Sequence, residues 1–493
     1  VNKNVCVIGG GTAGWITALL INAHYGYNVT VIESEDIGIL GAGEGTTPQF
    51  ITFLEEAKIQ VSDLVKHCSA TIKHGIDFIN WNGDGKSYFH SFAMNNDYYV
   101  FNPENILIVA KYIQEGRDYN PLVFSGLLAD KLKTGIRLKR KISDVRSELE
   151  YLVTYALHFD ARKLASYLRD VAISRDVNRI EGKVKTFTTD ERNYINSIVL
   201  ENDSKIKCDF VFDCSGFARL IIGNFYKSKW KSYTDKLPLN SAIPFFLPHD
   251  NNVKPQTSAI AMKNGWMWQI PVNGRYGCGY VFDNNRTTAD KALLEAEQYF
   301  GQKLDSPRAF AFNAGGYQET VINNCMAVGL AQSFVEPLEA TSIWISLINL
   351  FDFINADLIR NDNPIIKKSF NNACVYRNDQ VVEFLHFHYL SERNDSDFWR
   401  EFKYNHPMTE FQEEMMAQLN HSVLSPSTLD KMWGPSWLMV GLGINQLKHN
   451  FREKYLQDAD LFKLFRKKEE LVKRQQAMLE SCLSHKDFIE NNF

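Results

Sequence analysis

The chain opens on a short apolar run, Val5-Cys6-Val7-Ile8, the pattern of a strand buried on both faces. Glycines break the run, and apolar positions at Trp15, Ile16, Ala18, Leu19 and Leu20 predict a helix immediately after it. A second strand is predicted over 28–32, ending on Glu33, and a helix over 49–57. The stretch Ala70-Thr71-Ile72-Lys73-His74-Gly75-Ile76-Asp77-Phe78-Ile79-Asn80-Trp81 alternates and reads as one strand. Periodicity is then lost over 82–155, which is rich in Asn, Tyr and Phe and reads as an insertion covering a site. It resumes at His158-Phe159-Asp160-Ala161, opening a helix to about 174 with Asp160 as N-cap. Strands follow over 183–188 and 195–201, and Phe210-Val211-Phe212-Asp213-Cys214-Ser215-Gly216-Phe217 is a strand ending in a small-residue turn. Alternating segments over 241–282 predict an antiparallel sheet with Trp266 and Trp268 on one face of a strand. Another buried strand ends at Gly329, and an apolar helix is predicted over 343–355. From about 366 the pattern is mostly helical, and 460–483 is amphipathic with alternating charge.

The first of these elements enclose Gly9-x-Gly11-x-x-Gly14 in the strand, glycine turn, helix, strand, acid order of a dinucleotide site. Gly9 permits the tight turn, Gly11 lets backbone N–H groups approach a pyrophosphate, and Gly14 lets the helix pack on the strand. Glu33 is placed to accept ribose hydroxyls. The run Gly38-Ile39-Leu40-Gly41-Ala42-Gly43-Glu44-Gly45-Thr46-Thr47-Pro48 is a loop whose backbone can lie close to a flat ligand. No second fingerprint follows: Gly277-Cys278-Gly279 lacks a third glycine, and Gly441-Leu442-Gly443 has no matching helix. One dinucleotide site therefore serves the whole chain. The fold class expected is α/β: a Rossmann-like, glutathione-reductase-like FAD-binding box domain with an inserted antiparallel sheet, plus a mostly helical C-terminal substrate subdomain. The boundary is expected at 365/366, giving 1–365 (with the 82–155 insertion) and 366–493.

At 493 residues there is chain enough for two or three domains, and 45% hydrophobic with 23% charged residues is ordinary for a globular protein. A net charge of −4 carries no electrostatic footprint for nucleic acid. The 8 cysteines contain no C-x-x-C pair, which argues against a metal site and against dithiol chemistry and fits a reducing, cytoplasmic setting. No apolar run of about 18 residues is present, so no membrane span is expected. The first strand starts within a few residues of the beginning of the sequence, leaving no room for a signal peptide.

Taken together, these segments resemble the flavin-dependent halogenases of the tryptophan-halogenase type over about the first 400 residues. The motifs that carry the resemblance are the fingerprint ending in Ala13-Gly14-Trp15, Gly43-Glu44-Gly45-Thr46-Thr47-Pro48, and Ile72-Lys73 ahead of Phe78 and Trp81. They continue with His158-Phe159-Asp160-Ala161, Phe212 to Phe217, Trp266-x-Trp268-x-Ile270-Pro271, Phe334-Val335-Glu336-Pro337-Leu338-Glu339-x-Thr341-Ser342, and Phe387-His388-Tyr389 through Trp399. The resemblance implies FAD, used as FADH2, whose hydroperoxide is attacked by halide (chloride, bromide or iodide). The product is hypohalous acid, which travels through the interior to a lysine beside a small aromatic substrate. By position in the motifs, Lys73 is that lysine and Glu339 the active-site carboxylate, while the N–H groups of Thr341 and Ser342 match the halide site. FAD binding falls to Gly9, Gly11, Thr12, Ala13, Gly14, Glu33, Ala42, Gly43, Glu44 and Gly329, with Trp266, Trp268 and Pro271 as the flavin-site motif. Ala340 stands where the family often has Ser, which a main-chain cradle tolerates. From pattern alone Lys73 is an ordinary surface lysine, and the catalytic role comes from the resemblance. The family also implies a separate flavin reductase as partner, and it leaves the oligomeric state open, a homo-oligomer included.

Two other readings fit parts of the chain. A flavin-dependent aromatic hydroxylase shares the fingerprint, but such enzymes usually carry Gly-Asp where Gly329 is followed by Leu330 and Ala331. It also has no use for Lys73 together with Glu339. A non-catalytic flavin-binding protein would not need either residue.

Overall fold

In a computed structural model of the chain, residues 2–37, 44–92, 123–143, 146–305, 309–421, 434–447 and 458–491 are described. Contacts group them into two compact units that alternate along the chain. One comprises Val1–Ala70, Phe159–Asn240 and Ala311–Val382, and the other Thr71–His158, Ser241–Phe310 and Glu383–Phe493. The boundary expected at 365/366 falls inside the last segment of the first unit.

The first unit is built on a six-stranded sheet in the order Asn178–Glu181, Asn28–Glu33, Asn4–Ile8, Phe210–Asp213, Cys325–Ala327, Val321–Ile322. The first five strands are parallel and the last antiparallel. Alternation along the central strand gives each face its own cover. Cys6 and Ile8 join Ile195, Ile198 and Leu200 of a three-stranded antiparallel sheet. Val5 and Val7 pair in register with Phe210 and Phe212, whose rings lie 5.4 and 5.5 Å from Phe353 of helix Thr341–Asn355. The helix Thr12–Tyr25 buries Trp15, Ile16, Ala18, Leu19, Leu20 and Ile21, as an apolar helix packed on its sheet must. Asp213 ends its strand by accepting from the Ser215 hydroxyl (2.6 Å) and from the Ile221 and Ile222 amides (2.8 and 2.9 Å). Asp160 caps the helix Ala161–Ile173 as expected, accepting from the Arg162 and Lys163 amides.

In the second unit six strands of a seven-stranded sheet run in the order Ser241–Pro248, Arg275–Phe282, Gly265–Val272, Thr257–Met262, Gly75–Ile79, Ser87–Ser91. All neighbours are antiparallel except Thr257–Met262 beside Gly75–Ile79. One face carries Phe245, Met267 and Tyr280 beneath the Ala289–Phe300 helix. The helix Asp397–Asn405 docks through an indole donor, Trp399 Nε1 reaching the Met262 carbonyl at 2.7 Å, and Trp81, just after the strand Gly75–Ile79, donates its Nε1 to the Ala259 carbonyl at 2.9 Å.

The sequence reading differs from the structure in two places. The stretch 70–81 is two strands, Thr71–Lys73 and Gly75–Ile79, in separate sheets, because the His74 amide turns aside to the Pro255 carbonyl at 2.8 Å. The segment expected to be irregular contains the strand Ser87–Ser91, the helix Phe124–Asp130 and a hairpin of Ile136–Ser143 with Arg146–Tyr151. Residues 93–122 of that segment lie outside the described residues.

Candidate active site

The fingerprint turn has the geometry that its glycines require. Gly9 has φ +113°, and a Cβ there would stand 2.2 Å from the Cys214 carbonyl oxygen. A Cβ on Gly14 would stand 1.9 Å from the Gly9 carbonyl oxygen, so helix and strand meet only without side chains. Among the described residues nothing lies within 4 Å of a Cβ position at Gly11, and the helix that begins at Thr12 has no side-chain cap. Its first turn, at the positive end of its dipole, thus carries no capping side chain among the described residues, the setting that receives a pyrophosphate. Gly329, φ +67°, lies against this turn, with its Cβ position 2.9 Å from Ala13 and 3.8 Å from the Ser346 hydroxyl. The fingerprint, Gly329 and the start of helix Thr341–Asn355 are thereby gathered in one unit.

Glu33 accepts from Arg179 Nε at 2.6 Å, and Arg179 also pairs with Glu35 and Glu181. Its other oxygen lies against Gly10, so one oxygen is held by Arg179 and the second faces the turn. Arg179 lies in no motif and was not singled out. Burial pushes the Glu44 carboxyl up to about 7, with the Asp160 carboxylate adding to the effect. Ala42 and Gly43 lie outside the described residues.

Glu336 and Glu339 are both buried. Between Glu339 and Thr341, Ala340 takes a left-handed conformation, φ 55° and ψ 37°, as N-cap of Thr341–Asn355 with no side-chain cap. A left-handed residue followed by helical ones turns successive N–H groups toward one point, a main-chain anion nest. The Thr341 hydroxyl is buried beside it and, among the described residues, has no hydrogen-bond partner.

In the second unit Lys73 is fully buried, at 0% exposure, on a strand paired antiparallel with Ala156–Phe159. Its Nζ lies 4.6 Å from the centre of the Phe92 ring. Thr71 donates to the Pro271 carbonyl at 2.7 Å, which ties the end of the tryptophan motif to the lysine strand. With its proton so committed, Thr71 Oγ1 accepts from His158 Nδ1 (3.1 Å), and His158 Nε2 takes the Thr257 hydroxyl (2.9 Å). Burial, together with the Lys73 charge, drives His158 well below the usual histidine range. Burial likewise lowers His74 to about 3 and His485 to about 4. The lysine strand thus has three neutral imidazoles about it, of which His158 lies near enough to feel the Lys73 charge, and the sequence assigns a role to none of the three. Only burial makes them notable, and burial is not written in the local pattern. Trp266 is buried, and its ring meets that of Trp268 edge to face at 6.3 Å. Trp437 packs among Phe384, Phe387 and Phe411, and Trp433 lies outside the described residues.

Among the described residues, no helix is long and apolar enough to cross a membrane, and no group of His, Cys, Asp or Glu could hold a metal ion.

The tryptophan halogenase family matches residues 4–457. The chain belongs to that family. It is 30% identical over 422 residues to the 7-chloro-L-tryptophan 6-halogenase KtzR of Kutzneria sp. (strain 744), covering 80% of this chain and 81% of that one. The tryptophan 7-halogenase RebH of Lentzea aerocolonigenes is likewise 30% identical over 419 residues, covering 80% and 78%. Among solved structures, the flavin-dependent halogenase Xcc4156 of Xanthomonas campestris superposes with a TM-score of 0.85 at 26% identity, over 99% of this chain and 98% of that one. The tryptophan C-6 halogenase Tar14 reaches 0.86 at 26% identity over both full lengths. The chain is a flavin-dependent halogenase, an enzyme class that uses FADH2 and halide.

Proposed function

We propose that this halogenase installs halogen on an indole- or phenol-type aromatic ring by means of hypohalous acid held at Lys73. Bound as FADH2, the cofactor supplies that acid from O2 and halide. Gly9, Gly11, Thr12, Ala13 and Gly14 would hold its pyrophosphate on the open first turn of the helix, with Glu33 facing the ribose. The Thr341 and Ser342 amides would hold the halide anion, since two uncapped N–H groups form a cradle whose charge complements it.

The observation that carries the reading is the complete burial of Lys73 beside the imidazole of His158, which is kept neutral by burial and by the lysine's charge. A lysine is rarely buried in full, and a dry site strengthens each hydrogen bond that its amine makes. Lys73 donates to the oxygen of hypohalous acid and polarises the oxygen–halogen bond. The ring's electron pair takes the halogen, the oxygen leaves as water with the donated proton, and Glu339 is assigned the ring proton as general base. A separate flavin reductase supplies FADH2.

The test is mass spectrometry of products from a panel of indoles and phenols with each halide, a flavin reductase and NADH, for the native chain and Lys73→Ala. Halogenated product is expected from the native chain, with a loss of at least about 100-fold in Lys73→Ala. Hydroxylated product independent of halide, or full halogenation by Lys73→Ala, would refute the reading.

A further inference from the structure

We propose that His485 is a positioning residue for Lys73: its imidazole closes the open edge of the lysine strand and holds the backbone from which the amine is presented. This rests on the reading of Lys73 as the reacting amine.

The strand Thr71–Lys73 is three residues long and pairs with Ala156–Phe159 through Thr71 opposite His158 and Lys73 opposite Ala156. In an antiparallel pair the residue between two hydrogen-bonded positions turns its N–H outward. The outward amide here is that of Ile72, directly before Lys73. It donates to His485 Nε2 at 3.2 Å, where a neighbouring strand would otherwise offer a carbonyl. His485 Nδ1 donates to the Val253 carbonyl at 2.8 Å, so the two bonds require one neutral tautomer, protonated at Nδ1. The imidazole is fully buried.

His485 is itself held rigidly. Its amide donates to the Leu132 carbonyl (2.7 Å), the Leu483 amide to that of Ile136 (2.8 Å), and the Thr134 amide to that of Leu483 (3.1 Å). The same 132–136 loop holds the residue on the other side of the lysine, because His74 Nε2 donates to the Lys133 carbonyl at 3.2 Å. Lys73 therefore stands between two neighbours anchored to one assembly, half of which comes from the end of the chain. That half, 483–485, lies beyond the part matched by the family, 4–457. A histidine that merely filled space would not accept the amide adjoining the reacting residue. Removing its acceptor leaves that N–H buried and unsatisfied beside Lys73.

Three full-length variants test this, each with a flavin reductase, NADH, bromide and an indole: His485→Phe, His485→Gln and Lys73→Ala. Halogenated product and free hypohalous acid, captured by a diffusible β-diketone, are measured together. Phe keeps the ring volume without the acceptor, whereas the Gln amide oxygen reaches the position of Nε2. His485→Phe is expected to lower kcat for product about 10- to 100-fold, with KM for the indole unchanged. Captured acid rises as product falls. His485→Gln stays within about threefold of the native chain, the accepting atom being restored. The proposal is overturned if His485→Phe retains full kcat, or if both variants lose product, captured acid and thermal stability in parallel. Full product formation by Lys73→Ala would remove the assignment of the amine itself, an outcome read independently of His485.

Discussion

Ala340 is one place where a single residue bears strain that a ligand site could use. A non-glycine residue in the left-handed region costs roughly 1–2 kcal/mol, and here it aims the Thr341 and Ser342 amides. Glycine removes that cost but adds roughly 0.5–1 kcal/mol of chain entropy. Ala340→Gly should therefore raise stability by a net of about 0.5–1 kcal/mol, read as a higher denaturation midpoint, with halide dependence little changed because the proposed cradle is main chain. Asp213 is the opposite case, a buried carboxylate that satisfies three amides and a hydroxyl at the turn after its strand. Asp213→Ala leaves those donors buried without acceptors and should cost roughly 3 kcal/mol or more. Equilibrium unfolding in urea measures it, and a change under about 1 kcal/mol would contradict the assigned role.

At the scale of the element, the lysine strand is too short to be stable by itself, and its environment places a titration on the stability of the fold. His74, His158 and His485 are all held neutral by burial, at about 3, well below the usual range, and about 4 respectively. The unfolded chain binds protons at these groups near pH 6.5, while the folded chain does not. Stability from the three imidazoles is therefore whole above about pH 6.5 and is lost as pH falls through 6 and 5 towards 4. For His485, held at about 4 in the folded chain, the loss by pH 4 is roughly 3 kcal/mol. Thermal unfolding at pH 7, 6, 5 and 4 should show a progressive fall, with a shallower slope in His485→Gln. A pH-independent midpoint over that range would show that these groups are not buried neutral.

For the molecule as a whole, one nucleotide fingerprint in the mostly parallel sheet of the first unit leaves one dinucleotide site to account for. NADH alone should not drive turnover, and adding a flavin reductase should restore it. Oxidation of NADH coupled to halogenated product without the reductase would contradict this. A halide cradle made of main-chain amides discriminates little by size, and larger halides are easier to oxidise. Bromide should therefore outpace chloride in product formed per FADH2 consumed, which competition between the two ions would measure.

The sequence by itself determined the nucleotide fold, the order of the motifs and the family. The fingerprint, the Asp160 cap and the apolar strands are local patterns, and chemistry within a few residues of each decides them. The roles proposed for Lys73 and Glu339 rest only on their position in motifs. Nothing in the neighbourhood of Lys73 along the chain distinguishes it from a surface lysine. Tertiary structure decided what the local pattern does not encode: that 70–81 breaks at His74, that Arg179 holds Glu33, and that Lys73 is buried on a strand whose neighbouring amide is held by His485. Burial and long-range hydrogen bonds arise from residues as far apart as Ile72 and His485, and no window along the chain contains both.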